Sequence, residues 1–321
     1  SDGSAPTTGT LSSALGNVGI GKSTFGALTT GDYNVAIGYN AMPVHTTGGS
    51  NVAIGKDALE SSTTGGANVA VGLDALADLT TGTGNVAVGA NALDAQTTAV
   101  NNTAVGYLAA YQNTTGTLNV AMGYNALGLG TTSTYCVAIG AQALYNNTTA
   151  HNNVAVGYHS ALANTTGFSN TSLGNHTFKA NTTGDNNTAL GYGSLTANTT
   201  ANLNTAVGRS ALAANTTGAS NVAVGAYALD ACTTGANNVA VGYNALGAQT
   251  TTSNATAIGD HVLDACTTGS QNTGVGFDAL GALTTGNYNT SIGTYSGNAL
   301  TTGSHNQVFG YDAGGKITTA S

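Results

Sequence analysis

Apolar, small and polar residues fall at fixed places in a seventeen-residue beat. Glycine stands at 21, 38, 55, 72, 89, 106, 123, 140, 157, 174, 191, 208, 225, 242, 259, 276, 293 and 310, eighteen times with no insertion or deletion. The residue before it is apolar in every repeat, from Ile20 to Phe309, and the residue three before it is Val or Thr everywhere except Gln307. Between these two sits Ala in thirteen repeats. Residues two apart share one face of an extended strand, and β-branched side chains suit a pleated surface. A period of two, closed by glycine, excludes a helix. The expectation is a short strand whose large residues point inward and whose Ala column forms a nearly bare opposite face.

The rest of the beat is equally regular. Asn stands four before the glycine in sixteen of eighteen repeats, Cys136 and Ala255 being the exceptions. Asn tolerates turns and bonds locally to backbone, and stacked Asn side chains can bond to one another in a ladder. Four after the glycine comes a second apolar position, Phe25, Met42, Leu59, Leu76 and Leu93 onward to Leu280. Thr-Thr follows in all eighteen repeats, from Thr29-Thr30 to Thr318-Thr319. One repeat therefore predicts a strand, a glycine bend, a second short extended piece carrying Leu, a Thr pair and a turn.

Such a unit holds too few large apolar side chains to stand alone, and fixed-period repeats bury their apolar faces against their neighbours. Stacking at about 4.8 Å per coil pairs each strand in parallel with its equivalents. The fold class expected is all-β, a parallel β-solenoid (β-roll or β-helix) of about 18 coils with 17 residues per coil. Residues 1–16 form an N-terminal edge segment, a partial coil, and 17–321 a single continuous solenoid.

The repeat reads Thr-Thr-Gly-x-x-Asn-(Val/Thr)-Ala-(Val/Ile)-Gly-Tyr-x-Ala-Leu, seen cleanly at Thr182 to Asn198 and Thr234 to Gln249. It resembles the 17-residue β-solenoid repeats of phage tail-fibre-like and bacterial surface proteins. Its Asn-Val-Ala-Ile-Gly core, as at Asn34 to Gly38, more distantly resembles the β-roll head repeats of trimeric autotransporter adhesins. The resemblance covers residues 17 to 321 and implies a shaft or spacer, assembled as trimers in the adhesin case.

Composition narrows the partners. Charged residues make up 6% of the chain and the net charge is -8, with Lys22, Lys56, Lys179, Arg209 and Lys316 as the only cations. No basic stripe exists to neutralise phosphates, so nucleic acid is not expected as a partner. No apolar run is long enough to span a bilayer. Cys232 and Cys266 share a repeat position two repeats apart, too far for a bridge, and Cys136 has no partner in the pattern.

No cofactor, metal site or catalytic set is expected, because no break in the repeat gathers unlike polar groups. Asp57 and Asp74 stand at one position in adjacent repeats, as do His159 and His176, with His261 farther on; solvated surface residues are the expectation for all five. Tyr follows the glycine at 39, 107, 124, 158, 192, 243 and 311, where it serves to cap a turn or to stack on sugars. Asn164-Thr165-Thr166 and Asn215-Thr216-Thr217 match the glycosylation acceptor pattern, which the repeat itself generates.

Regular register begins at Gly21 and Thr318-Thr319 still obeys it, so neither end shows a capping element, and bare strand edges invite pairing. The functional expectation is a structural subunit of an extracellular filament or surface appendage, not an enzyme. Its partners are copies of itself, head to tail and laterally through the Ala column, together with surface glycans. The alternatives are the shaft of a trimeric phage tail fibre or adhesin and an ice-binding protein presenting Thr.

Overall fold

A computed structural model describes residues 14–319. The edge segment expected at 1–16 lies mostly outside that range. The chain forms two compact units, Ser1–His159 and Ser160–Ser321. The first contains nine strands, from β1 (Val18–Ile20) to β9 (Val154–Val156), and the second nine more, from β10 (Thr171–Leu173) to β18 (Gln307–Phe309). The described residues contain strands and turns but no helix. Pairing is parallel and joins each residue to the one seventeen further on: Val35 to Val52, Ala36 to Ala53 and Ile37 to Ile54 in the first unit, Val222 to Val239 and Ala223 to Ala240 in the second. The fold is an all-parallel β-solenoid with one three-residue strand per coil.

The remaining residues of a coil are turns, yet their backbone bonds to neighbouring coils as a strand would. Asn40 N–H donates to the Lys22 carbonyl at 2.9 Å, Met42 to Ala58 at 3.1 Å, Thr46 to Thr63 at 2.8 Å and Ser50 to Asp32 at 2.9 Å. Three of these donors have positive φ: 57° at Asn40, 52° at Met42 and 63° at Ser50. The second extended piece expected around Leu is thus replaced by tight left-handed turns. A left-handed residue rotates its peptide plane so that the chain bends while the N–H still points along the stacking direction. Each such conformation costs roughly 1–2 kcal/mol outside glycine, about what one net hydrogen bond returns. The coil shape therefore holds only while a neighbouring coil accepts its bonds.

Glycine is required at the bend for two reasons together. Gly38 has φ 136°, and a Cβ there would lie 2.4 Å from the carbonyl oxygen of Gly55 in the next coil. At the glycine after the Thr pair only the second reason applies, since a Cβ at Gly48 would crowd the Gly65 carbonyl oxygen. Its φ is ordinary, and Ala99, Ser133, Ala150 and Thr252 occupy the same place in other coils.

The strand faces the opposite way from the expectation. Ala36, Ala53, Ala70 and Ala223 are completely buried, whereas Val18, Ile20, Ile54 and Ile258 are exposed. The interior is occupied by the Leu column, Met42, Leu59, Leu76, Leu212 and Leu246 among them, and by Phe178. The left-handed turns bring these side chains across the coil onto the strand and leave space for small residues, Ala in most coils and Ser at Ser172 and Ser291, while Val308 fits where Gly314 stands in the Leu column. A Cβ at Gly274 would meet Val262 Cγ1 at 2.5 Å and Leu263 Cδ1 at 3.5 Å. Val262 occupies a place that is usually Ala, and Gly274 stands in the Ala column, so the larger residue is offset by the smaller. The lateral contact expected through the Ala column is thereby corrected: that column is core and touches nothing outside.

Through this thin core runs the Asn ladder. Asn34 Oδ1 accepts from the backbone N–H of Asn51 at 2.9 Å and from its Nδ2 at 3.0 Å, while Asn34 Nδ2 donates to the Gly48 carbonyl at 3.0 Å. In the second unit Asn221 Oδ1 accepts from Asn238 N–H at 3.0 Å and Nδ2 at 3.1 Å. A parallel ladder runs through Asn164, Asn181, Asn198 and Asn215, whose amides bond in sequence at 2.7, 2.9 and 3.1 Å. The Thr pairs add a third, with Thr46 Oγ1 donating to the Thr63 carbonyl at 2.9 Å and Thr233 Oγ1 to Thr250 at 3.0 Å. Where Ala255 replaces Asn, Gln249 Oε1 and Thr252 Oγ1 in the same coil are buried without a partner.

Two outcomes follow from this packing. Restoring the rung with Ala255→Asn should raise unfolding free energy by about 1 kcal/mol, read from urea midpoints; an unchanged or lower midpoint would show that the rung carries no stability. Gly274→Ala and Val262→Ala should each destabilise by about 2 kcal/mol through overpacking and cavity formation. Combined, they should recover much of that loss, and strict additivity would refute the size match.

Candidate interaction surface

Because the core takes Ala, Leu and Asn, the outside of each coil carries the remaining side chains in columns. The residues flanking Ala in the strand form one. Val18, Ile20, Val88, Met122 and Ile139 are exposed in the first unit, and Leu190, Val224, Ile258, Ile292 and Phe309 in the second. The second Thr of each pair forms another, exposed beside the half-buried first Thr that bonds the next coil.

The third column holds the two residues after the glycine, where the sequence-level candidates cluster for a backbone reason. The second of these has left-handed φ, as at Asp57 (57°), Asp74 (53°), His159 (56°), His176 (56°) and His261 (57°). Asn, Asp, His and Gly tolerate that conformation best, and they fill twelve of the eighteen places. The aligned acids and histidines are therefore what the turn selects.

Their contacts agree with this. Lys56 Nζ lies 2.7 Å from Asp57 Oδ2, and this bond holds the Asp57 carboxyl below its usual range. Asn40 Nδ2 donates to the other Asp57 oxygen at 2.9 Å. Asp74 acts on the same lysine, whose pKa is raised chiefly by its hydrogen bond to Asp57. A lysine thus serves the two acids. His159 Nε2 is 2.6 Å from Gln142 Oε1, His176 meets the Tyr192 ring edge-on at 6.1 Å, and His261 Nδ1 is 3.0 Å from Asp264 Oδ2. Among the described residues no three His, Cys, Asp or Glu gather as a metal site would require.

Cys136, Cys232 and Cys266 are buried free thiols, each pushed up to about 11 by burial, and so are poor nucleophiles at neutral pH. Asn164 and Asn215, the nominal glycosylation acceptors, are buried rungs of the second ladder and present no amide to a transferase in the folded chain. Among the described residues no helix is long and apolar enough to cross a membrane.

The aromatic residues of this column make contacts that single-column reading misses. In the second unit six rings from six successive coils touch in order: Tyr227, Tyr243, His261, Phe277, Tyr295 and Tyr311, with centroids 6.0, 5.3, 6.4, 5.4 and 6.3 Å apart and neighbouring planes steeply inclined. They alternate between the first and second place after the glycine, a zigzag visible only when both places are read together. The first unit holds a stacked pair, Tyr107 and Tyr124, at 5.9 Å. Compared with known protein families, curated proteins and solved structures, the chain shows no match.

One buried titratable group also escaped the repeat-level reading. His45 lies in the interior column that elsewhere holds Leu28, Ser62, Leu79 and Gln96. Its Nε2 is 2.8 Å from the Gly48 carbonyl, which can only accept, so Nε2 carries the proton and Nδ1, 3.3 Å away, accepts from Ser62 Oγ. Burial pushes its pKa below the ordinary 6.5. Below that pH the unfolded chain takes up a proton that the folded ring resists, so the unfolded state holds more protons and stability falls with acidification. The melting temperature should therefore drop between pH 7 and pH 5 by more in the native chain than in His45→Gln, a residue this column already accepts at Gln96 and Gln249. Parallel pH profiles would contradict the assignment.

Proposed function

We propose that the chain is a structural subunit of an extracellular filament or surface appendage, in which the stacking of coils continues from one chain to the next. The carrying observation is that within each unit the junctions between coils present the same groups in the same register, strand edge, glycine bend and Thr pair, with an Asn rung wherever Cys136 or Ala255 does not replace it. Any coil is thereby a template for any other, and a head-to-tail contact made by such surfaces does not close on itself, which produces a fibre. The scattered acids and histidines are accounted for by turn geometry, and this supports a structural role in place of a catalytic one.

The exposed aliphatic columns favour a second reading, a shaft in which several chains lie side by side as a trimeric tail fibre or adhesin. At about 4.8 by 7 Å per coil the stripe offers roughly 300 Å² in each nine-strand unit and about 600 Å² over both, below the roughly 800 Å² per partner of a standard interface. End-to-end stacking, which engages hydrogen bonds all round the coil, is the better supported. In most coils the first Thr of the pair donates its hydroxyl to the next coil, as Thr46 and Thr233 do, which leaves one free Thr column where an ice-facing array would need two.

Negative-stain electron microscopy of purified protein across a concentration series should reveal fibres that lengthen with concentration. Monodisperse particles with a light-scattering mass of three chains would favour the shaft, and monomers at every concentration would overturn both readings.

A further inference from the structure

We propose that the aromatic track of the second unit, from Tyr227 to Tyr311, is a binding surface for a linear, neutral, β-1,4-linked polysaccharide lying along the coil stack. The track is built on alternation. In five successive coils one of the two residues after the glycine is a ring and the other a hydrogen-bonding side chain: Tyr243 with Asn244, His261 with Asp260, Phe277 with Asp278, Tyr295 with Thr294, Tyr311 with Asp312. Rings and polar groups thus alternate in both directions across the surface. A pyranose chain has the same duality, with apolar C–H faces and hydroxyl edges.

The spacing agrees with such a chain. Tyr243, Phe277 and Tyr311 occupy the same place in every second coil, about 9.6 Å apart at the strand spacing, which is close to the disaccharide repeat of an extended β-1,4 chain. Because successive sugars in that chain flip by half a turn, an alternating surface suits it better than a uniform one. The three rings are 48%, 45% and 77% exposed, so much of each side chain stays accessible after contacting its neighbours.

Charge selects among glycans. Asp260, Asp264, Asp278 and Asp312 border the track, against two cations near its ends: Arg209, held over the Tyr227 ring at 5.6 Å, and Lys316, which shares a hollow with Asp312. Carboxylates accept from sugar hydroxyls but repel uronate or sulfate, which disfavours anionic polymers. Beyond Arg209 the same edge continues into an open hollow of about 440 Å³ lined by His176, Lys179, Tyr192, Gly193 and Ser210, where Gly193 leaves out a side chain and Lys179 adds a cation outside the track.

This inference is independent of filament assembly and is tested without it. Binding of cellohexaose and N-acetyl-chitohexaose to the full chain should be detected by calorimetry. Phe277→Ala should weaken it about tenfold, as expected for one stacked ring, Phe277→Tyr should retain it, and Tyr243→Ala combined with Tyr311→Ala should abolish it. Tyr107→Ala with Tyr124→Ala in the first unit should leave it unchanged, and circular dichroism melts confirm that each variant is folded. No binding by the native chain, equal binding after loss of the three rings, or tighter binding of an alginate oligomer would each overturn the proposal.

Discussion

Where the ladder is complete, the amide of the asparagine before the strand acts in four hydrogen bonds at once. Its oxygen takes the main-chain and side-chain N–H of the asparagine above, and its nitrogen reaches the oxygen below and a carbonyl across the coil, as around Asn51. These groups lie in the core, away from water, where an unmatched amide costs about 1–3 kcal/mol. A shift of one residue in any coil would leave these partners unmatched in both its neighbours. Register is thus held from inside by polar groups, in a core whose apolar side chains are too few to determine it.

The left-handed turns work in the same direction. Residues such as Met42 and Leu59 adopt a conformation that no isolated peptide would favour, and they do so because their N–H groups find carbonyls in the next coil. Strain and its relief therefore belong to different coils. A repeat protein of this kind has stability that grows by interfaces between neighbours, and the match of Val262 to Gly274 indicates that side-chain volume is balanced in the same local manner.

Coil length, strand position and parallel stacking were legible in the sequence because each is a period, and periods need no knowledge of what faces inward. The facing of the strand was not legible. Val-Ala-Ile defines two faces but does not say which is core, and large residues are ordinarily the better guess. The deciding fact is the left-handed turn after the glycine, which fills the interior with Leu and leaves room for small residues such as Ala. Its signature was present as Asn, Asp and His at one place in most repeats, but those residues also invite a chemical reading. His45 was hidden for a related reason, since its column mixes Leu, Ser, Gln, Asn and Cys and shows no polarity rule. The aromatic track was hidden because it crosses between two columns.

The glycine bend has a consequence for how such a chain can change over generations. Each bend fits only against the bend of the adjoining coil, so seventeen residues are an indivisible quantum: whole coils can be duplicated or lost without disturbing those that remain, whereas a single inserted codon throws the bends out of phase. Length is then an adjustable trait, set by copy number, while the spacing within the repeat is fixed.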